Sequence, residues 1–241
     1  MGRFLAEGPQ AVREALAAGV VLELFGTADA LERHADLVAL AATQALGERV
    51  SPVTAQALAG LTETVQPQGL VAVCAQRPAS LASLAAHRLV AVLHEIRDPG
   101  NAGTILRTAD AAGAGAVVFA GAAVDPYNGK AVRASAGSVF HVDVVREADA
   151  SAALRAVREH GLQLLAADAH GDQDLDDLAD AGALARPTAW LFGSEAHGLP
   201  DAVAGAADAR VRVPIHGLAE SLNLAAAAAI CLYASARALR G

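Results

Sequence analysis

Three glycine-containing segments of this 241-residue chain place polar side chains directly after predicted strands. In each segment an apolar run ends in a turn, and groups that can donate or accept hydrogen bonds follow within a few residues. The carboxyl ends of parallel strands lie at one edge of a sheet, where α/β proteins bind ligands. The candidate chemistry is therefore carried by Asn101, Arg107, Glu195, Ser221 and Asn223.

The first segment spans residues 93–110, LHEIRDPGNAGTILRTAD. Pro99 and Gly100 turn the chain, and we expect Asn101 to begin and cap a helix that ends before Gly113. Arg107 follows less than two helical turns later and can project near the end of the preceding strand. The alternatives are a plain helix cap for Asn101 and a surface charge for Arg107.

The second segment is WLFGSEAHGL, residues 190–199. Gly193 follows an apolar strand and lets backbone approach a ligand closely. Glu195 then lies at the end of the strand. His197 has no acid or cysteine placed to form a triad or a metal set with it, so we interpret it as a structural or rim residue.

The third segment is VRVPIHGLAESLNL, residues 211–224. Ser221 and Asn223 are predicted to begin a helix that runs to Leu239, with Ser221 as a possible cap. The chain holds one lysine against seventeen arginines, and only three asparagines. From this bias we take the hypothesis, with chance placement as the alternative, that the remaining Asn and Lys side chains have a chemical role, namely Asn101, Asn128, Lys130 and Asn223.

The elements that must position these groups alternate between strand and helix from Leu89 onward. This alternation predicts an α/β fold with a parallel sheet covered on both faces. Residues 1–76 read as a smaller α/β unit, residues 77–88 as a linker, and residues 89–241 as the larger domain. No dinucleotide-binding fingerprint opens a helix after the first strand, which argues against a doubly wound oxidoreductase.

Composition excludes several classes of protein. The net charge of −8 argues against a sequence-independent nucleic-acid binder, although four basic residues lie within residues 97–133. No window is apolar enough to span a membrane, no secretion signal is evident, and two cysteines form no disulfide framework. A soluble, cytoplasmic protein is therefore expected. The acidic stretch Asp168–Asp180 lacks calcium-loop spacing and is predicted to be a solvated loop and helix start.

Together the three segments resemble the motifs of the SpoU (TrmH-type) RNA 2′-O-methyltransferases of the SPOUT superfamily. The matching patterns are NxGxxxRTA at 101–109, FGSEAHGL at 192–199 and PxxGxxESLNxxxAxA from Pro214. The segment 125–140 is also similar, and FLAEGPQAVREAL loosely resembles the start of the ribosomal-protein-like substrate-binding domain found in many members.

The resemblance implies a parallel-sheet catalytic domain whose C-terminal segment forms a trefoil knot, a homodimer, and S-adenosyl-L-methionine as cofactor without a metal. Arg107, Asn101, Glu195, Ser221 and Asn223 would form the catalytic group. The cofactor would contact Ala167, Leu191, Gly193, Val213, Ile215 and Leu222.

The implied reaction is methylation of a ribose 2′-hydroxyl, with ribosomal RNA the preferred substrate and transfer RNA the alternative. RNA would contact the N-terminal unit together with Arg97, Lys130 and Arg133. The family mechanism makes the arginine a general base, whereas a permanently charged guanidinium favours stabilisation of an oxyanion or a phosphate. A catalytically inactive RNA-binding relic is the remaining alternative.

Overall fold

The computed structural model describes residues 2–44, 46–64 and 66–240. The outer limits predicted for the two domains, residues 1 and 241, lie outside the described residues. The described chain contains two sheets, one of four strands and one of seven. Each sheet is built from one of the two regions that the sequence separates.

The N-terminal sheet has the order β1-β4-β2-β3 and packs against short helices. β1 and β2 each pair antiparallel with β4, whereas β2 and β3 are parallel. Its elements are β1 (Arg3–Glu7), α1 (Pro9–Ala17), β2 (Val21–Gly26), α2 (Ala28–Arg33), α3 (Ala35–Thr43), β3 (Val50–Pro52), α4 (Ala55–Leu61) and β4 (Leu70–Ala75).

The segment after β4 packs on the second sheet and is more than a connecting loop. Ala79 forms an isolated parallel bridge with Val145. A 3₁₀ helix follows at Leu81–Ala86, and its Leu84 side chain is fully buried. The region predicted as a linker therefore contributes to the hydrophobic core.

The C-terminal sheet has the order β7-β6-β5-β10-β8-β11-β9, and every neighbouring pair is parallel. Its elements are β5 (Leu89–His94), α5 (Pro99–Ala112), β6 (Ala116–Ala120), α6 (Gly129–Ser135), β7 (Asp143–Glu147), α7 (Ala150–Glu159), β8 (Gln163–Ala167), β9 (Gln173–Asp174), α8 (Leu175–Asp180), β10 (Thr188–Phe192), α9 (Asp201–Ala204), β11 (Ala209–Arg212) and α10 (Leu224–Arg240).

Burial explains why the central strands are almost continuously apolar. Every residue of β5, β6 and β10 is buried, as expected for a parallel sheet with both faces covered. One hydrophobic cluster includes residues of α5 and α10, and a second includes residues of α7 and the 3₁₀ segment. The predicted fold class, a parallel α/β domain preceded by a small α/β unit, is thus confirmed.

Two local predictions are wrong. Asn101 does not cap α5, because the helix begins at Pro99 and the side chain of Asp98 accepts the backbone N–H of Asn101 at 2.8 Å. The C-terminal helix begins at Leu224, so Ser221 lies before it.

The two units contact each other through an aromatic cluster and ion pairs. The Phe4 ring lies 4.8 Å from that of Tyr127 and 5.8 Å from that of Phe140, measured between centroids. Arg133 of α6 donates to Glu7 of β1 at 3.0 Å. The N-terminal unit is therefore held against the face of the larger sheet that carries α6.

No helix in the described part of the chain is long and apolar enough to cross a membrane. Cys74 and Cys231 are both buried and unpaired. Desolvation raises the pKa of each thiol to about 12, so both remain protonated near neutral pH.

Candidate active site

A chain of side-chain hydrogen bonds joins the three predicted segments at the carboxyl edge of the large sheet. The Asn101 amide nitrogen donates to Glu195 Oε1 at 3.0 Å. The Asn223 amide nitrogen donates to Asn101 Oδ1 at 3.3 Å. Glu195 lies 94 positions from Asn101 in the sequence, and Asn223 lies 122 positions from it. The parallel topology of the sheet brings all three side chains into one network.

Asn223 also fixes the start of α10. Its Oδ1 accepts the backbone N–H of Ala225 at 2.9 Å and that of Ala226 at 3.4 Å. The prediction that Asn223 lies inside the first turn of this helix is therefore wrong, because Asn223 directly precedes α10 and caps it. One amide serves both purposes, since its oxygen caps the helix and its nitrogen binds Asn101.

Glu195 is held as a carboxylate. Its two oxygens also face the backbone N–H groups of Arg97 and Asp98, each at 3.4 Å. Partial desolvation acts to raise the pKa of Glu195, but hydrogen bonds from Asn101 and the backbone outweigh it and lower the pKa below the ordinary value. A carboxylate with a lowered pKa suits orientation better than proton uptake.

The structure does not join Arg107 and Ser221 to this network within one chain. Both side chains are exposed, and neither has a hydrogen-bond or ion-pair partner among the described residues. Arg107 follows Asn101 by six residues of helix, about 1.7 turns, which turns its side chain roughly 120° away. Of the five predicted catalytic residues, the structure therefore groups Asn101, Glu195 and Asn223.

The predicted cofactor residues lie at or beyond the ends of three adjacent strands. Ala167 ends β8, Leu191 lies in β10, and Gly193 follows it. β8 pairs with both β10 and β11, which brings these strand ends together. The remaining three positions lie in the irregular segment after β11: Val213, Ile215 and Leu222.

The same irregular segment offers unused backbone groups. Within the described ranges, residues 214–222 make no backbone–backbone hydrogen bond, and all of them except Pro214 are exposed, so their backbone groups are open to water or a ligand. Ile215 and Leu222 are 37% and 38% exposed in this segment. Apolar side chains beside free backbone donors and acceptors fit a ligand such as S-adenosylmethionine, which has an aromatic ring with hydrogen-bonding edges.

Gly193 has a steric reason to be glycine. A Cβ at this position would lie 2.3 Å from the carbonyl carbon of Gly198, which is backbone and cannot rotate away. The loop between them is closed by two hydrogen bonds that link Ser194 and Gly198 at 2.9 and 3.1 Å. This closure presents Glu195 on a tight turn, with His197 exposed at its rim.

The three predicted RNA-binding side chains differ in their surroundings. Arg97 is exposed and its side chain has no carboxylate partner among the described residues. Lys130 contacts Asp98 at 2.9 Å and is 56% exposed. Arg133 forms ion pairs with Glu7 and Glu63 of the N-terminal unit. RNA binding by Arg97 and Lys130, without Arg133, stays a prediction.

The acidic stretch after β8 contains the short helix α8 and pairs with arginines of β11. Asp168 accepts from Arg210 at 2.6 Å, and Asp174 lies 3.3 Å from Arg212. The described residues contain no group of three His, Cys, Asp or Glu side chains that could hold a metal ion.

Sequence reasoning missed two features of the site. Asp98 caps α5, and an Asp followed by Pro at the first helical position is a recognisable start signal. His94 and Glu95 line a cavity beside Glu195, and no pattern in the sequence marked them.

Comparison with known proteins places the chain among RNA methyltransferases. The model of the SpoU rRNA Methylase family matches residues 88–233. A model described as RNA 2′-O ribose methyltransferase substrate binding matches residues 5–79. The first match covers more than half of the chain.

Relatives agree over nearly the whole length. The 23S rRNA (guanosine(2553)-2′-O)-methyltransferase RlmP of Bacillus subtilis is 34% identical over 95% of this chain and 87% of its own. RlmB of Bordetella pertussis, a 23S rRNA (guanosine-2′-O-)-methyltransferase, is 32% identical over 81% and 80%. The AdoMet-bound rRNA methyltransferase of Sinorhizobium meliloti superposes with a TM-score of 0.83 at 34% identity, covering 98% of this chain and 87% of that one.

The fold and the site thus define an RNA methyltransferase of SPOUT architecture. The chain belongs to the SpoU rRNA methylase family.

Proposed function

We propose that this protein transfers the methyl group of S-adenosyl-L-methionine to a ribose 2′-hydroxyl of ribosomal RNA. The observation that carries the proposal is the Glu195–Asn101–Asn223 network, which unites the three motif segments at the carboxyl edge of the sheet. Relatives named as 23S rRNA 2′-O-methyltransferases match almost all of the chain, including the substrate-binding unit. This agreement favours ribosomal RNA over transfer RNA.

The cofactor supplies an electrophilic methyl group on a sulfonium, so the protein needs to position it rather than activate it. Ala167, Leu191 and Gly193 would line one side of the pocket at the strand ends. Val213, Ile215 and Leu222 would close the other side with the free backbone groups of their segment. Gly193 keeps the loop compact enough for this approach.

Three of the five proposed catalytic residues are hydrogen-bonded to one another, and the other two have no side-chain partner among the described residues. Glu195, Asn101 and Asn223 hold the loops around the reacting hydroxyl. A guanidinium group carries a permanent positive charge in proteins, so we assign Arg107 to stabilise the developing oxyanion or to bind the adjoining phosphate. Ser221 would orient the hydroxyl from the segment before α10.

We further propose a homodimer in which Arg107 completes the site of the partner subunit. α5 and α10 run side by side in the same direction, since Asn101 meets Asn223 at one end and Gly113 lies near Arg240 at the other. The outer face of α10 exposes Ile230 and Tyr233, which are 41% and 52% accessible. Exposed apolar side chains on α10, and an exposed arginine on the adjacent helix α5 that has no partner among the described residues, fit a subunit interface.

The trefoil knot and the cytoplasmic location are parts of the same proposal. The 168–174 loop packs tightly on β11, because a Cβ at Gly171 would lie 2.6 Å from the carbonyl oxygen of Arg210. Arg212 donates to the carbonyl oxygen of Gly171 at 3.1 Å. This packing of the 168–174 loop against the strand that leads to α10 is the observation that supports a threaded C-terminal segment. The proposed cytoplasmic location rests on the substrate, because an enzyme that modifies ribosomal RNA must meet it where ribosomes are assembled.

The test is transfer of tritiated methyl from S-adenosylmethionine to unmodified ribosomal RNA and, separately, to unmodified transfer RNA. Nuclease mapping of the label then locates the methylated ribose. We expect label in ribosomal RNA only. Label confined to transfer RNA would reassign the substrate, and cofactor binding without label in either pool would identify an RNA-binding relic.

A further inference from the structure

A cavity of about 410 Å³ lies between the loops that follow β5 and β10. Its walls include His94, Glu95, Arg97, Ser194, Glu195 and His197. None of the six predicted cofactor residues lines it, whereas Glu195 of the catalytic network forms part of its wall. The cavity is therefore adjacent to the reaction centre and separate from the proposed cofactor pocket.

His94 contributes a polar ring to the wall of the cavity. The residue is 5% exposed, and its ring makes no hydrogen bond to the described residues. Its ring nitrogens are not among the buried polar atoms that lack a partner, so they keep some access to solvent. A neutral imidazole has one donor and one acceptor, and because His94 lines the cavity, a ligand there can bind these atoms in place of water.

Glu95 leaves β5 in an unfavourable backbone conformation. Its φ is 51°, and the only other described non-glycine residue with positive φ is Ala136, which follows the end of helix α6. Strain of this kind persists where the surroundings impose it, and it concentrates at ligand sites. Here the strain turns Glu95 at the end of a buried strand.

The Glu95 side chain lies against the backbone of the neighbouring strand end. A Cβ at Gly121 would be 3.0 Å from Glu95 Cγ and 3.2 Å from its Oε1. The backbone N–H of Glu95 donates to the carbonyl oxygen of Ala120 at 3.0 Å. The carboxylate itself has no ion-pair or hydrogen-bond partner in the part of the chain that the structure describes, so it is available to a ligand.

We propose that this cavity receives the base of the nucleotide whose ribose is methylated, and that the base is guanine. The inference rests on the proposed function. Guanine has two adjacent donors, N1–H and N2–H₂, which a single carboxylate such as that of Glu95 accepts together. The O6 atom beside them is an acceptor that the His94 ring can satisfy.

The other bases fit this pair of groups less well. Adenine presents an acceptor at N1 where guanine has a donor, and it would face the carboxylate with a lone pair. Uracil and cytosine lack two adjacent donors on this edge. His197, exposed at the rim, can stack on an unstacked base, which is a common mode of RNA recognition.

The experiment uses a transcript of the mapped target region with guanosine or inosine at the methylated position. Inosine lacks only the N2 amino group. Wild type, Glu95→Gln and the control Glu159→Gln are compared by kcat/KM for methyl transfer. Glu159 is exposed on α7 and makes no contact with the cavity. Cofactor affinity, measured by calorimetry, checks that each variant is folded.

We expect inosine to lower the wild-type kcat/KM about 10-fold, and Glu95→Gln to lower it about 10- to 100-fold on guanosine. The two changes combined should cost less than the product of their separate effects, because both remove the same contact. Glu159→Gln should match wild type. If Glu95→Gln does not fold, the inosine transcript still tests the proposal with the wild-type enzyme.

Three results would overturn the base assignment while leaving methyl transfer intact. They are a methylated ribose that belongs to another nucleotide, equal rates on guanosine and inosine, and an unchanged kcat/KM in folded Glu95→Gln. Absence of ribose label in every RNA would overturn the proposed function, and this inference with it.

Discussion

Two polar clusters of the molecule differ in how completely their charges are paired. At the contact between the two units, Arg133 lies between Glu7 and Glu63, and His141 lies between Glu14 and Asp110. At the carboxyl edge of the large sheet, Glu195 is bound by Asn101 while Arg107 has no partner among the described residues. Both clusters join segments that are far apart in sequence.

This difference distinguishes side chains that stabilise the fold from side chains that remain available to bind a ligand. A partly buried charge with partners on both sides stabilises the contact it bridges. The exposed Arg107 side chain has no partner among the described residues, so it makes no hydrogen bond or ion pair that stabilises the folded monomer. Substitutions in the first cluster should therefore change the stability of the fold, and substitutions in the second should change the rate of methyl transfer.

Arg107→Ala should have the largest effect. Loss of a cation that stabilises charge in the transition state is expected to lower methyl transfer at least 100-fold. The melting temperature should remain close to that of wild type, because Arg107 has no partner to lose. Turnover and thermal unfolding of the purified variant check both statements.

Arg107→Lys is the matched variant, since it keeps the charge but loses the planar donor fork. A loss smaller than about 10-fold in Arg107→Ala, about 1.4 kcal/mol, would remove Arg107 from the catalytic group.

Arg133→Ala should lower the free energy of unfolding by about 2 kcal/mol. The side chain of Glu7 is 7% exposed and would lose its cationic partner, which leaves a buried charge with only its hydrogen bonds from the Glu63 backbone N–H and the Thr64 hydroxyl. Urea unfolding measures the change. Arg155→Ala is the control, because Arg155 is 63% exposed and its distance to Asp149 is 3.5 Å.

A double-mutant cycle with Glu7→Gln isolates the contact, and the two changes should not be additive. Unchanged stability together with weaker RNA binding would instead return Arg133 to the RNA-binding surface that its position in the sequence predicts.

Glu195→Gln should reduce methyl transfer about 10-fold with little change in stability. The carboxylate accepts from Asn101, Arg97 and Asp98, and an amide would turn its own donor toward at least one of these N–H groups. The loops would then be held less accurately around the hydroxyl. Kinetics with saturating cofactor measure the loss, and Glu159→Gln, on the exposed surface of α7, is a control for the removed charge.

A Glu195→Gln enzyme with full activity would show that the network needs no carboxylate. Loss of all activity would instead assign Glu195 a direct part in proton transfer.

The sequence predicted the order of strands and helices in the large domain because parallel buried strands are apolar throughout and their helices end at recognisable residues such as Gly113. It also identified Asn101, Glu195 and Asn223, since each follows a strand end. It assigned the wrong local roles to Asn101 and Asn223, because the observed caps, Asp98 and Asn223, lie three and two residues away from the predicted caps, Asn101 and Ser221. Asp98 and Asn223 cap the two helices, which frees the Asn101 side chain for Glu195.

Contacts between distant segments could not be predicted in the same way. The sequence predicted that Arg133 contacts RNA, because other basic residues lie close to it in the chain. In the structure its partners are Glu7 and Glu63, which belong to the N-terminal unit. The strain at Glu95 and the isolation of the His94 ring arise only from tertiary packing. Neither residue type is unusual at the end of a strand, so no pattern separated them.

His141 should give the smallest effect, a stability that depends on pH. Hydrogen bonding to Asp110, at 2.8 Å, raises the pKa of His141, and Glu14, at 3.2 Å, acts in the same direction against partial burial. A raised pKa means that the folded state binds the proton more tightly than the unfolded state. The stabilisation is therefore complete below the ordinary pKa of 6.5 and is lost as pH rises through the higher folded value.

Because the side chain of His141 is 43% exposed, solvent screens the pairs, and the expected contribution is about 1–3 °C in melting temperature. The melting temperature of His141→Gln should therefore lie below that of wild type near pH 6, and the gap should close above pH 8. His160→Gln is the control, because His160 directly follows α7 and its side chain has no carboxylate partner among the described residues. A gap that persists at high pH would mean that His141 stabilises the contact between the units by packing and not by charge.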